Sequence, residues 1–221
     1  MTTTMDFWRQ RDVVSPEDLA SLRVTIIGAG GIGSPTTLAL AKMGVSQIVV
    51  YDDDSVELHN LPNQIYRFSD LGKTKVEGLK NICQDFAGVL IEVKPECFDG
   101  QQPLSGIVVS GVDTMAARKE IWQRVRYNPA VQIYIEARMG AEVARIHTVR
   151  PCDPSLVRWY ETTLYSDEEA MQAPCTARAI IYCALMSGAL VANQVKKFAR
   201  AELLAREVIF DLKTLSLIVN Y

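Results

Sequence analysis

Short β-branched runs alternate with longer amphipathic stretches through the N-terminal part of the chain. That pattern predicts parallel strands joined by crossover helices. Arg23–Gly28 (RVTIIG) reads as the first strand and Ile32–Met43 as the helix that returns from it. Gln47–Tyr51 (QIVVY) is the second strand, followed by a polar loop from Asp52 to Gly72. Lys75–Phe86 predicts a helix, Val89–Lys94 and Gly106–Ser110 predict strands, Thr114–Arg126 a helix and Val131–Ala137 a strand.

Past residue 137 the pattern changes. Ala141–Val149 alternates like a strand with no helix before it, which predicts an antiparallel addition. Residues 150–174 carry Pro151, Pro154 and Pro174 with the acidic Asp167, Glu168 and Glu169, and read as a long loop crossing the surface. A helix from about Ala177 to Ala205 follows, and Val208–Leu212 with Leu215–Val219 closes the chain as a hairpin around Lys213-Thr214. The fold class expected is α/β: a Rossmann-like, mostly parallel sheet with helices on both faces and antiparallel C-terminal strands. Residues 1–221 are expected to form a single domain, with 1–22 a helical arm ahead of the first strand.

Composition narrows the function classes. Apolar residues make up 48% and charged residues 22%, values that exclude intrinsic disorder. A net charge of −3 offers no global basic field, so neither nucleic acid nor an anionic membrane is an expected partner. Met1–Asp6 carries neither a cationic leader nor an apolar run, and a cytoplasmic location is expected. Five cysteines without a C-x-x-C pair argue against a disulfide framework and against a cysteine-type zinc site. The uncharged stretch Ala179–Val195 contains Ser187, Gly188, Asn193 and Gln194 and falls short of the ~20 apolar residues a membrane span needs. It reads as a buried or interface-facing helix.

Gly28-Ala29-Gly30-Gly31-Ile32-Gly33 sits between a predicted strand and a predicted helix, the context a dinucleotide fingerprint requires. Gly28 permits the tight turn, Gly30 close approach of a ligand to the backbone, and Gly33 packing of the helix on its strand. Asp52, at the end of QIVVY, is placed to accept hydrogen bonds from ribose hydroxyls. The loop lacks the Lys-Ser/Thr ending of a P-loop. This much predicts an adenosine site and leaves NAD and ATP equally open.

The downstream segment separates the two. Asp52-Asp53-Asp54-Ser55-Val56-Glu57-Leu58-His59-Asn60-Leu61-Pro62-Asn63-Gln64 is followed by Gly72-Lys73-Thr74-Lys75. A hydride-transfer enzyme has no use for this polar, lysine-ended loop beside its phosphates, whereas a triphosphate needs cations and a metal. Lys75, opening a helix, would supply a phosphate contact, and Asp113, just past the strand GIVVS, a magnesium ligand. Taken singly, Lys75 also reads as a solvated first-turn lysine and Asp113 as a helix N-cap.

In this order GAGGIGSP, DDDSVELHNLPNQ, GKTK and GVDT resemble the ThiF/MoeB/HesA adenylyltransferases, relatives of the ubiquitin-activating enzymes. The resemblance runs from Arg9 to the closing hairpin. It implies that Asp52 binds the ribose, that Asp54 and Asn60 order the nucleotide loop, that Gln64 and Lys75 face the phosphates, and that Asp113 holds magnesium. Gly31 belongs to the same phosphate-facing loop. Arg9-Gln10 resembles the family's Arg-Gln pair, whose arginine reaches across a homodimer to the partner's ATP, with Arg11 as the fallback. Three departures stand out. Asn63 replaces the family's usual arginine, and Arg67, four residues on, is the candidate substitute. The segment between Arg9 and the first strand is shorter than usual, and the paired zinc cysteines are absent, so a zinc-free member is expected.

Cys175, in Ala173-Pro174-Cys175-Thr176, precedes a helix and has Arg178 nearby, both of which favour thiolate. Relatives place an acyl-accepting cysteine in the corresponding loop; a packing or capping cysteine is the other reading. Cys183 reads as core, Cys83 and Cys97 as helix- and strand-packing residues. Glu136 and Arg138 place a charge pair near the sheet edge, either to orient an incoming chain terminus or as a structural ion pair. His59 and His147 are isolated and receive no role. The function expected is ATP- and Mg-dependent adenylation of a carboxylate, the C-terminal glycine of a small ubiquitin-like or sulfur-carrier protein, followed by thioester formation on Cys175. Cys175, Arg9, Lys75 and Asp113 would carry the chemistry. An NAD-dependent oxidoreductase and a non-catalytic nucleotide-binding module are the alternatives.

Overall fold

The computed structural model describes residues 5–166 and 180–221. Its centre is an eight-stranded sheet in the order β3-β2-β1-β4-β5-β6-β7-β8. β1 (Arg23–Ile27), β2 (Gln47–Tyr51), β3 (Glu92–Lys94), β4 (Gly106–Ser110) and β5 (Val131–Gly140) pair in parallel. β6 (Val143–Val149), β7 (Glu207–Asp211) and β8 (Ser216–Asn220) extend the sheet antiparallel. The mixed sheet expected from the sequence is therefore present. In β1, β2 and β4 the last four residues are all buried, which explains why these strands read as continuous apolar runs rather than alternating ones.

Helices cover both faces. Side chains of α2 (Gly33–Met43), α3 (Lys75–Ala87) and α6 (Ile181–Ala199) share one core with Ile26, Val50, Val109 and Ile135. On the opposite face Val108, Tyr134 and Val149 pack with Trp122 of α4 (Met115–Val125) and with Val157 and Tyr160 of α5 (Pro154–Glu161). Period-two alternation along β4 sends Ile107 and Val109 to the first core and Val108 to the second. A short arm precedes the sheet: a 3-10 turn at Trp8–Gln10 and α1 (Pro16–Ala20), the latter closed by a capping box between Ser15 and Asp18.

Several boundaries differ from the sequence expectation. The stretch 150–174 is not all loop, because Asp153 caps α5 by accepting from the N–H groups of Ser155 and Leu156, and Pro154 occupies the first helical position where its missing N–H costs nothing. β5 runs to Gly140 and turns through Ala141 (φ 52°) and Glu142 into β6, so the hairpin is tighter and longer than read. The strand expected from Val89 pairs only from Glu92 onward. α6 ends at Ala199 instead of Ala205: Ala201 is left-handed (φ 52°), and the N–H of Glu202 donates to the carbonyl of Lys197, a Schellman closure. Among the described residues no helix is long and apolar enough to cross a membrane, and Cys183, Ser187, Gly188 and Gln194 of α6 are buried.

Sheet order reverses between β1 and β4. Connections leave β1 toward β2 on one side and β4 toward β5 on the other, so the loops after β1 and β4 diverge and open a crevice at the carboxyl ends of the strands.

Candidate functional site

Main chain forms the floor of that crevice. Gly28 follows β1 with φ +94°, and its N–H donates to the Tyr51 carbonyl. A Cβ on Gly28 would lie 3.0 Å from the Gly111 carbonyl, and one on Gly33 would lie 1.8 Å from the Gly28 oxygen. Gly111 in turn donates to the Ile27 carbonyl. Glycine is thus required for β1, the loop after β4 and the first turn of α2 to meet backbone to backbone. Gly30 differs: a Cβ there would meet nothing nearer than Gln64 Nε2 at 4.0 Å, so its backbone is open to the cavity. Gly31 fits beneath Met139 and the Asn63 carbonyl. Ile32, the N-cap of α2, makes no side-chain cap, which leaves the positive end of the helix dipole facing the same space.

The cavity above this floor has a volume of about 620 Å³. Gly28, Gly30, Gly31, Asp52, Asp54, Asn60, Gln64, Lys75 and Asp113, singled out from the sequence, all line it, while Gly33 lies beneath. Half-buried Asp52 accepts from the Ala29 N–H at 2.6 Å and the Asp54 N–H at 2.9 Å. It therefore fastens the glycine loop to β2, each oxygen keeping a further lone pair. Burial raises its pKa, and the Ala29 hydrogen bond counteracts only part of that rise. Tyr66 pins the same loop by donating to the Ala29 carbonyl.

Lys75 is 7% exposed, and its Nζ lies 2.6 Å from Asp54 Oδ2. The backbone places it: Lys75 N–H donates to the Asp54 carbonyl and Val56 N–H to the Lys73 carbonyl, which holds the start of α3 against the polar loop. Asn60 is buried and its Oδ1 accepts from the Glu57 N–H, closing a 3-10 turn at Leu58–Asn60. Gln64 Oε1 and Asn63 Oδ1 are buried without a protein partner. Tyr51, Cys97, Phe98, Val112 and Ile121 make an apolar wall, with the Tyr51 and Phe98 rings edge-on at 6.1 Å. The lining thus combines these apolar side chains with Lys75, Arg118, four aspartates and the backbone of the glycine loop.

Other expectations are corrected. Arg67 does not replace the missing arginine at position 63: its guanidinium is committed to Asp70 at 2.8 Å and Asp85 at 2.5 Å, away from the cavity wall. Lys73 joins the same Asp70, so Lys75 is the lysine of the GKTK segment that reaches the cavity. Cys97 is not a strand-packing residue, since β3 ends at Lys94; it is exposed on the cavity wall, with its pKa raised by burial and by Asp53 and Glu120. Cys83 packs inside α3, where burial pushes its thiol up to about 12. Arg9 lies exposed on the N-terminal arm and is not part of the cavity wall of its own chain, while Gln10 Nε2 ties the arm to the Met43 carbonyl. Cys175 lies outside the described residues.

Glu136 is not at the sheet edge. It is fully buried on β5, within hydrogen-bond reach of Arg118 Nε at 2.7 Å, Arg138 Nε at 2.8 Å and His147 Nδ1 at 3.0 Å. His147 is accordingly not isolated. Burial alone would raise the carboxyl, but the His147 hydrogen bond and the charges of Arg138 and Arg118 hold it at about 2. Arg118, missed in the sequence, lines the cavity and donates to the carbonyls of Asp113 at 3.2 Å and Val112 at 2.5 Å. Its signal was present: the buried stripe of α4 reads Met115, Arg118, Ile121, Trp122, Val125, an arginine at a core position.

Residues 5–217 match the sequence model of the ThiF family. The SAMP-activating enzyme E1 of Haloferax volcanii is 33% identical over 117 residues, covering 48% of this chain and 43% of that protein. The adenylyltransferase and sulfurtransferase UBA4 of Yarrowia lipolytica is 34% identical over 84 residues, covering 35% of this chain and 21% of that protein. The chain thus spans less than half the length of these curated relatives. In fold it is similar to E. coli MccB solved with ATP, with a TM-score of 0.73, 19% identity, and coverage of 93% of this chain and 65% of that one. PaaA gives a TM-score of 0.73 at 18% identity, covering 100% of this chain and 75% of that one.

Proposed function

Because the chain belongs to the ThiF family, we propose that it is an ATP- and magnesium-dependent adenylyltransferase whose substrate is the C-terminal glycine carboxylate of a ubiquitin-like or sulfur-carrier protein. One observation carries the reading. A buried lysine, an uncapped helix N-terminus and the exposed carboxylate of Asp113 line one cavity at the point where the strand order reverses. The names of the relatives support the same chemistry.

In this reading the apolar wall with Phe98 takes the adenine, Asp52 the ribose hydroxyls, and the backbone of Gly30 and Gly31 the phosphates. Asn60 keeps the loop in place, and Gln64 supplies its amide nitrogen, which lies 4.0 Å from where a Cβ on Gly30 would stand. Lys75 exchanges Asp54 for a phosphate oxygen. Magnesium fits the donor set, because that ion keeps several waters and takes one or two carboxylates beside substrate phosphates, which Asp113 supplies. An ion held there by Asp113 would supply neutralisation of charge on the triphosphate. The acyl carboxylate attacks the α-phosphorus, an acyl O–P bond forms, the bond to the β-phosphate breaks, and pyrophosphate leaves with the electron pair. No general base is needed, since the nucleophile is already an anion. The chain's contribution is positioning and fixed positive charge, with Arg9 of a second copy added across a homodimer. A Cys175 thiolate then takes the acyl group as a thioester, releasing AMP.

The test is ATP–pyrophosphate exchange in the presence of the acyl substrate. Asp113→Ala is expected to abolish it and Cys175→Ala to spare it while removing any thioester. Loss of exchange in the cysteine variant would sink that division of labour. Asn63, together with the diversion of Arg67, favours a second reading, a nucleotide-binding module without catalysis. ATP binding without exchange in the wild-type protein would select it.

A further inference from the structure

The buried cluster around Glu136 takes no part in the reaction just described, yet it touches the cavity rim. Arg118 spends its guanidinium on three acceptors at once: Glu136 Oε1, the Asp113 carbonyl and the Val112 carbonyl. A planar fork of this kind fixes the acceptors relative to one another, which a lysine ammonium cannot do. Both carbonyls belong to the loop from β4 to α4, the loop that bears the Asp113 side chain. Glu136 is a rigid post beneath it, because β5 pairs with β4 at Ser110↔Glu136. Arg138 Nε bridges both oxygens of the same carboxylate, Oε1 at 3.0 Å and Oε2 at 2.8 Å, and its other nitrogens donate to the carbonyl and hydroxyl of Thr163.

We propose that Glu136 is a positioning residue for Asp113: it holds Arg118, Arg118 holds the main chain of Val112 and Asp113, and the cavity's affinity for a divalent cation depends on that chain of contacts. The inference rests on the adenylyltransferase reading only in assigning the cation to Asp113. Partners one step behind a metal ligand commonly set its affinity by 10–100-fold. Arg138 supplies the internal control: it is equally a cation on Glu136, but its other hydrogen bonds go to Thr163, whereas those of Arg118 go to the loop.

The experiment is calorimetric titration of ATP into the intact protein, with MgCl2 varied and with EDTA, beside thermal melts. Glu136→Gln and Arg118→Lys are expected to raise the magnesium concentration for half-maximal enhancement of ATP binding by about tenfold or more, and Glu136→Gln, at a position that does not line the cavity, to leave binding in EDTA unchanged. Arg138→Gln lowers the melting temperature without moving the magnesium dependence. An equal shift in Arg138→Gln reduces Glu136 to a structural role and overturns the proposal, as does an unshifted dependence in the first two variants. Should Glu136→Gln fail to fold, the contrast between Arg118→Lys and Arg138→Gln decides alone. Wild-type protein that binds no ATP overturns the adenylyltransferase reading and the inference together. A magnesium-dependent wild type with unshifted variants overturns the inference only.

Discussion

Gly30 and Gly33 lie three residues apart and do opposite work. A methyl at Gly33 collides with a carbonyl oxygen at 1.8 Å, and backbone cannot step aside as a flexible side chain can. Gly33→Ala is expected to destabilise the protein by about 1–3 kcal/mol or more, visible as a lower melting temperature. Gly30→Ala should melt like the wild type and bind ATP more weakly, since its methyl enters the cavity and meets only Gln64. Equal effects of the two on stability would contradict the distinction. Glu136 gives a second prediction at this scale. Its folded pKa of about 2 lies below the ordinary 4.5, so the stability it contributes is complete above pH ~4.5 and drains away as pH falls toward 2. Melts across that window should fall more steeply for the wild type than for Glu136→Gln. The glycines and Asp52 were legible in the sequence because turn geometry and strand ends fix where such residues must stand. Glu136 was legible as the ion-pair partner of Arg138, a pair the structure contains; that Arg118 and His147 share the same carboxylate was not, because a charge inside an apolar stripe reveals its partner only once the strands are paired.

At the level of elements, α5 shows how a helix hides among breakers. Pro151 and Pro154 read as loop residues, yet Asp153-Pro154 is a helix start: a side-chain acceptor for two N–H groups, then a residue that needs no acceptor of its own. Asp153→Ala is expected to cost about 1 kcal/mol, read from chemical denaturation midpoints, with nucleotide affinity unchanged because α5 lies away from the cavity. α6 carries the complementary lesson. Its apolar periodicity continues past Ala199 in sequence, but Ala201 adopts the left-handed conformation usually reserved for glycine, and no composition rule marks an alanine there. Strand existence was legible throughout; strand ends were not, as β3 shows: its first paired residue is Glu92, opposite Val49, although β2 itself begins at Gln47.

For the molecule as a whole, the sheet order follows from the succession of strands and crossover helices, and the reversal between β1 and β4 determines where the cavity lies. Arg9 belongs to this scale, because an arm fastened to the far end of α2 through Gln10 and Met43 does not line its own cavity. If a second copy completes the site, the protein should sediment as a dimer and Arg9→Ala should slow pyrophosphate exchange; a monomer with full exchange would remove Arg9 from the mechanism.

The glycine floor has a consequence for how such a chain can change its ligand. Where Gly28, Gly33 and Gly111 meet there are no side chains to swap, and any added atom pushes strand from helix. New preferences must therefore arise on the walls, at positions such as Cys97 and Phe98, while the base of the crevice stays the same through any such change.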